Sequence, residues 1–281
     1  RSPWKPGRGT REGIEDAAFS RLGLGVTGPH AGLGLSRNRT ETLIRKAVEL
    51  GVTLFDTGPA YGRGEAEKRL GRALKSVPRD RVFITTKAGI HPGKKRDFSP
   101  GAVEMSFKDS LSRMGCGHID LLLLHGPSAA EMDERLIRRL QAFKEHGVLR
   151  HIGVCGRGAE LDHAIGLDVF DAIMAPVNDG LDDAARNRLR RAREQGLSVI
   201  GIEVMAGAAT AARLPLTRGD WWYAARRLKQ GLTGTRPDGR GQPATDALHW
   251  ALESGLADAL VCLTTRPGNL ETNARLAGLP A

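Results

Sequence analysis

One pattern recurs eight times along this chain and limits what it can fold into. A short apolar, β-branched run is followed by a longer stretch whose apolar residues fall three and four apart. The short runs, at 22–26, 53–55, 82–86, 119–124, 151–154, 172–174, 198–202 and 260–263, read as strands. The longer stretches, at 40–50, 65–75, 100–114, 130–146, 159–165, 182–195, 245–254 and 269–277, read as amphipathic helices. In the first of these, Leu43, Ala47 and Leu50 lie on one stripe. Three helices close on one device: ELGV at 49–52, EHGV at 145–148 and EQGL at 194–197. Each sets a glycine after the last turn, where a left-handed residue is wanted, and then an apolar residue that begins the return to the sheet.

Eight such units in 281 residues, with no long linker, predict a single-domain closed (β/α)8 TIM barrel. The run Leu121-Leu122-Leu123-Leu124 is apolar without alternation, as expected of a strand covered on both faces. A doubly wound open sheet would carry a GxGxxG turn after its first strand. The nearest candidate, Gly23 to Gly28, runs through the strand itself. Two stretches break the repeat. The chain therefore divides into an N-terminal extension at 1–19 and a barrel at 20–281, with a long loop at about 206–242 expected over the C-terminal mouth.

Composition removes several function classes. With 40% hydrophobic and 26% charged residues the chain is ordinary globular protein rather than disordered. No apolar run approaches the roughly 20 residues of a membrane span. Cys116, Cys155 and Cys262 are far apart, odd in number and without metal-type spacing, which points to a reducing, cytoplasmic setting and no metal site. The first residue is Arg1, so a trimmed start is expected and no secretory segment is legible. Basic residues outnumber acidic ones 42 to 32, a net +10, most densely at 186–193. A nucleic-acid groove would interleave such a stripe with stacking aromatics. Aromatic residues make up only 5% of the chain, so the run reads as a solvated helix face and nucleic acid is not an expected partner.

In a barrel the chemistry sits at the C-terminal ends of the strands. There Asp56 and Tyr61 follow strand two, Lys87 ends strand three and His125 ends strand four. Charged residues are rarely placed at the end of an apolar strand for packing, because burying an unpaired charge is costly. The plain alternative is an Asp56–Lys87 ion pair that only closes the barrel top.

With these residues in place, FDTGPAYGRGEAEKRLGRAL at 55–74 resembles the signature block of the aldo-keto reductases. VFITTKAG at 82–89, HIDLLLLHGP at 118–127 and GVLRHIGVCG at 147–156 follow in that family's order and spacing. The form of the block and the Phe98-Ser99 segment look closer to sugar-oxidising and small-aldehyde members than to steroid-type ones. The resemblance implies that Tyr61 protonates a carbonyl oxygen as hydride arrives from NADPH. It also implies that Lys87 lowers the Tyr61 pKa, that Asp56 holds Lys87 charged, and that His125 orients the carbonyl. Unit charges about 4 Å apart interact by roughly 4 kcal/mol at an effective dielectric of 20, enough for shifts of that kind.

The cofactor half departs from the family pattern. Cys155-Gly156 stands where the family usually has Ser-Asn, Met174 or Ala175 where it has Gln, and Ile202, followed by Glu203, where it has a stacking Tyr. Three nicotinamide contacts are thus missing together. The adenosine end is better kept: Thr264, Thr265 and Arg266 would meet a 2′-phosphate, and Asn269 and Asn273 would approach the adenine. The plain alternative makes Thr265 a helix N-cap with Pro267 in the first turn.

Three readings follow. One is an NADP(H)-dependent enzyme acting on a small carbonyl, alcohol or sugar-like substrate. Another is a redox-neutral dehydratase, isomerase or epimerase reusing the same four residues, with Glu203 as an extra acid or base. The last is a non-catalytic auxiliary relative, which the intact set of four counts against. Trp221 and Trp222, with Tyr223, offer stacking area for a flat or sugar-like ligand, or else anchor the long loop. Trp4, His151 and His249 read as structural.

Overall fold

Eight short strands pair in parallel, each with the next and the last with the first, closing a barrel. They are β1 (Leu22–Gly25), β2 (Leu54–Asp56), β3 (Phe83–Ala88), β4 (Ile119–His125), β5 (Leu149–Cys155), β6 (Ala172–Pro176), β7 (Ser198–Ile202) and β8 (Ala259–Cys262). The computed structural model describes residues 14, 19–32, 34–93, 95–206, 208 and 243–280. Closure is made where Gly23 is in register with Leu54 of β2 on one side and Val261 of β8 on the other. Around the barrel run α1 (Arg37–Glu49), α2 (Glu65–Leu74), α3 (Pro100–Met114), α4 (Glu134–Glu145), α5 (Ala159–Gly166), α6 (Asp183–Glu194), α7 (Ala244–Glu253) and α8 (Pro267–Leu276).

Strand alternation divides the core in two. Leu121 and Leu123 pack inside the barrel with Leu54, Phe83, Met174 and Ile200. Leu122 and Leu124 pack outward, in the layer shared with the helices. The four-leucine run therefore serves both cores, and burying each side chain contributes roughly 1.5–3 kcal/mol. The same alternation, carried to the strand ends, brings Asp56 in step with Leu54, Lys87 with Phe83, and His125 with Leu123, so all three sit on the interior face.

Local signals set the helix ends. Ser36, Ser99, Asp133 and Asp182 each accept a backbone N–H as N-caps, worth about 1 kcal/mol apiece. Gly51, Gly147 and Gly196, the glycines of the repeated tail, have φ of 78°, 69° and 79°. The capping serine at 36 starts α1 three residues earlier than the apolar period suggests. The expected helix at 130–146 is two pieces: a 3-10 turn, Ala129–Glu131, and then α4. Asp133 separates them because its carboxylate accepts from Leu136 N at 2.8 Å and holds Asp133 itself extended.

The basic run on α6 is not simply solvated. Arg188 and Arg191 both pair with Asp162 of α5, Arg193 pairs with Asp258, and Arg186 donates to the carbonyls of Leu181 and Asp179. These arginines tie neighbouring elements together. Among the described residues no helix is long and apolar enough to cross a membrane. The extension at 1–19 lies almost wholly, and Trp4, Trp221, Trp222 and Tyr223 entirely, outside the described residues.

Candidate active site

Lys87 and Asp56 meet inside the barrel mouth, both almost fully buried, with Nζ 2.5 Å from Oδ1. Thr85 donates to the same Asp56 oxygen at 2.7 Å, and Lys87 also donates to the Thr57 carbonyl at 2.9 Å. The Lys87 ammonium lies 5.3 Å from the Tyr61 ring centroid. His125 stands edge-on to Tyr61, with centroids 6.4 Å apart. The four residues proposed from the strand ends therefore lie together at one end of the barrel.

Tyr61 opens a tight turn, Tyr61–Gly64, after β2. Its N–H donates to the Gly58 carbonyl at 3.1 Å, and Gly62 and Arg63 have φ of 58° and 55°. Just after the turn, Glu67 of α2, a residue the sequence reading passed over, fastens this segment to β3 and α3. Fully buried, it accepts from Thr86 Oγ1 at 2.7 Å and from Arg113 Nε of α3 at 2.6 Å. Thr86 precedes Lys87 and Glu67 follows the Tyr61 turn, so one carboxylate ties both sides of the site. The available signal was a glutamate inside an otherwise apolar helix face.

The protonation states are set by burial first and neighbours second. Burial raises the Tyr61 pKa, and Lys87 opposes it without overcoming it. Lys87 thus pulls in the expected direction, but desolvation of the phenolate outweighs one ammonium and Tyr61 stays a neutral phenol at pH 7. Burial also works against the Lys87 charge, but Asp56 beside it reverses the balance and raises that pKa. His125 is lowered to about 4 by burial and then by Lys87, Arg157 and Arg96, so its imidazole is neutral. Cys155 is pushed up to about 11 by burial, an unreactive thiol in the barrel interior.

At the expected nicotinamide end, Gly156 has no side chain because Glu160 takes the space. A Cβ there would lie 2.3 Å from Glu160 Oε1, which accepts from the amides of Arg157 at 2.5 Å and Gly158 at 3.1 Å. Met174 is fully buried in the inner core and Ile202 packs against its edge. Glu203, in the left-handed region at φ 55°, is paired with Arg157.

At the expected adenosine end Thr264 is buried, Thr265 half-buried, and Arg266 and Asn269 exposed; Asn273, one turn after Asn269 on α8, is buried. Arg266, not Thr265, is the N-cap residue of α8, with Pro267 in the first turn and no side-chain cap. The reason is that Thr264 Oγ1 accepts from Arg266 N at 3.3 Å, holding the chain extended up to Arg266. His30, also missed from sequence, supports this end: its Nε2 lies 2.7 Å from the Thr264 carbonyl, which can only accept, so Nε2 carries the hydrogen.

Burial lowers His30 to about 4, against an opposing pull from the Thr264 carbonyl. His30 and His125 thus fold neutral, while the unfolded chain binds protons below about pH 6.5. Stability is expected to be flat above that pH and to fall as pH drops from 6.5 towards 4, by about 2 kcal/mol per histidine at pH 5. Urea midpoints between pH 7 and 5 check this. A His30→Gln variant should show a shallower slope, and an unchanged slope would rule out the buried neutral imidazole as its source.

Comparison with known proteins gives a consistent neighbourhood. The family description "Aldo/keto reductase family" matches residues 21–279. The chain is 28% identical to a D-threo-aldose 1-dehydrogenase of a Pseudomonas species, over 87% of this chain and 85% of that one. It is 30% identical to the NADH-specific methylglyoxal reductase of Escherichia coli strain K12, a match spanning 53% of this chain and 52% of the relative. Among solved structures, an aldo-keto reductase from Bacillus halodurans in its holo form superposes with a TM-score of 0.73 over 92% of this chain and 86% of that one. At 21% identity that likeness speaks to the fold.

Proposed function

The chain belongs to the aldo/keto reductase family, and from that premise we propose that it is an NADP(H)-dependent oxidoreductase. It reduces a small aldehyde or ketone, or oxidises the matching alcohol or sugar hemiacetal, with Tyr61 carrying the proton. The observation that supports this most is the shared mouth of Tyr61, the Lys87–Asp56 pair and His125, with the phenol and imidazole neutral and the ammonium charged.

A bound reduced nicotinamide supplies hydride to the carbonyl carbon. The side chains do the rest. The neutral Tyr61 hydroxyl donates its proton to the carbonyl oxygen, and the phenolate left behind is stabilised by the Lys87 ammonium. Asp56 keeps Lys87 charged and, with the Thr57 carbonyl, aims it. Neutral His125 donates a hydrogen bond to the same oxygen and orients it. In the oxidative direction the phenolate takes the alcohol proton.

The residues after β8 suit the adenosine part of the cofactor. The first-turn amides of α8 have no side-chain cap, so free donors and the positive end of the helix dipole face a phosphate. Arg266 would add a charge-assisted contact favouring the 2′-phosphate of NADPH, with Thr264, Thr265, Asn269 and Asn273 around it. At the other end Cys155 and Gly156 would border the nicotinamide with Glu160 beside them. That carboxylate, standing where a side-chain amide is usual, favours the second reading, a redox-neutral enzyme built on the same four residues. Trp221 and Trp222, outside the described residues, would contribute to substrate choice. Free thiols at Cys116, Cys155 and Cys262 support a cytoplasmic setting.

Quenching of protein fluorescence on titration with NADPH, followed by cofactor oxidation at 340 nm with a panel of aldehydes, tests the proposal. Micromolar binding with turnover is expected. No binding at millimolar NADPH overturns it and leaves the redox-neutral and the non-catalytic readings.

A further inference from the structure

We propose that the carbonyl substrate carries a carboxylate or phosphate group, and that Arg157 and Arg96 select it. This rests on the oxidoreductase reading and names the substrate class of the same site. Arg157 lies two residues past Cys155, the register partner of His125 across β4 and β5. Arg96 lies in the connection from β3 to α3, bridged to Ile90, three residues after Lys87. The two loops thus flank the mouth at His125. Strands β3 and β5, which lead into these loops, pair on either side of β4, the strand that ends in His125, and both guanidiniums help to lower the imidazole pKa.

Each guanidinium is held in place before a ligand arrives. Arg96 donates through Nη2 to Glu131 at 2.5 Å and lies 4.7 Å over the Phe98 ring. Arg157 donates through Nη2 to Glu203. Both side chains remain open to solvent, 45% and 63% exposed respectively.

The carboxylates at this rim have further duties. The Glu131 oxygen that meets Arg96 also accepts from the Ser128 amide and hydroxyl at 2.7 and 2.9 Å. Glu160 serves the amides of Arg157 and Gly158, and Asp97 serves the Ser99 amide at 2.9 Å. Backbone donors thus share the negative charge, whereas each guanidinium has five N–H groups and commits a single nitrogen to its carboxylate. An incoming anion meets oriented donors suited to two-pronged contact, while a neutral polyol gains little from them.

The experiment compares kcat/KM within two matched pairs, using NADPH and NADH in turn. The pairs are succinic semialdehyde against 4-oxobutanamide, and D-glyceraldehyde 3-phosphate against D-glyceraldehyde. The wild type is expected to favour the charged member of at least one pair by about tenfold or more, expressed mainly in KM. The pair that shows it tells carboxylate from phosphate. In the Arg96→Gln/Arg157→Gln double variant the ratio should fall to within about threefold of one, and Arg157→Lys should keep part of it. Equal use of charged and neutral members, or a preference that survives the double variant, overturns the inference and leaves carbonyl reduction standing. Turnover of none of the four carbonyls with either cofactor brings down the oxidoreductase reading and the inference with it.

Discussion

Turnover in a Tyr61→Phe variant is expected to fall at least about a hundredfold, with the fold intact. The ring packs at the edge of the outer core and against the Lys87 and His125 side chains, and Phe keeps that packing. What disappears is a hydroxyl that is neutral at pH 7 and can give its proton to a carbonyl oxygen, leaving a phenolate stabilised by Lys87. His125 cannot replace it: with a pKa near 4 its imidazole is neutral and parting with its proton would leave an imidazolate. Lys87 cannot either, since Asp56 holds its proton. Steady-state reduction of a good aldehyde substrate, alongside thermal unfolding, checks the prediction. Near-wild-type turnover would sink the assignment of Tyr61.

A Gly62→Ala variant is expected to lose both stability and activity. Gly62 sits at φ 58°, and a Cβ there would come 1.9 Å from the Ala31 carbonyl oxygen and 2.8 Å from its carbon. These are backbone atoms that cannot swing aside. A left-handed alanine costs roughly 1–2 kcal/mol by itself, and the clash pushes the Tyr61 turn off the loop after β1. The combined cost is expected to be at least about 2 kcal/mol in urea unfolding. Turnover should drop at least about tenfold, because Tyr61 is the adjacent residue and reacting groups tolerate little displacement. Wild-type stability together with wild-type turnover would show that the close approach plays no part in placing Tyr61. The two variants separate chemistry from placement: the first should change activity alone, the second both.

How far the site was legible depended on how local its determinants are. Asp56, Lys87 and His125 could be read directly, since a polar residue at the end of an apolar strand is a local contradiction that marks a barrel mouth. The glycine tails are equally local. Glu67 and His30 escaped notice because their partners, Arg113 and Thr264, are 46 and 234 residues away in sequence. The break before α4 was missed for a different reason: Asp133 reads as one more polar residue in a helical period until its carboxylate is seen capping Leu136. On α6 the arginines looked solvated because Asp162 and Asp258 lie on other elements.

By itself the sequence determined the eightfold repeat, hence the barrel, and which strand ends carry reactive side chains. Periodicity and end signals are properties of neighbouring residues, and they are written in order along the chain. Tertiary structure alone decided three further things. Burial of Tyr61 outweighs the pull of Lys87, the Glu160 carboxylate occupies the space beside Gly156, and the loops that carry Arg96 and Arg157 follow the two strands paired with β4. Each depends on how much water is removed from a group and on which distant residue the closed barrel brings beside it, and no local pattern encodes either.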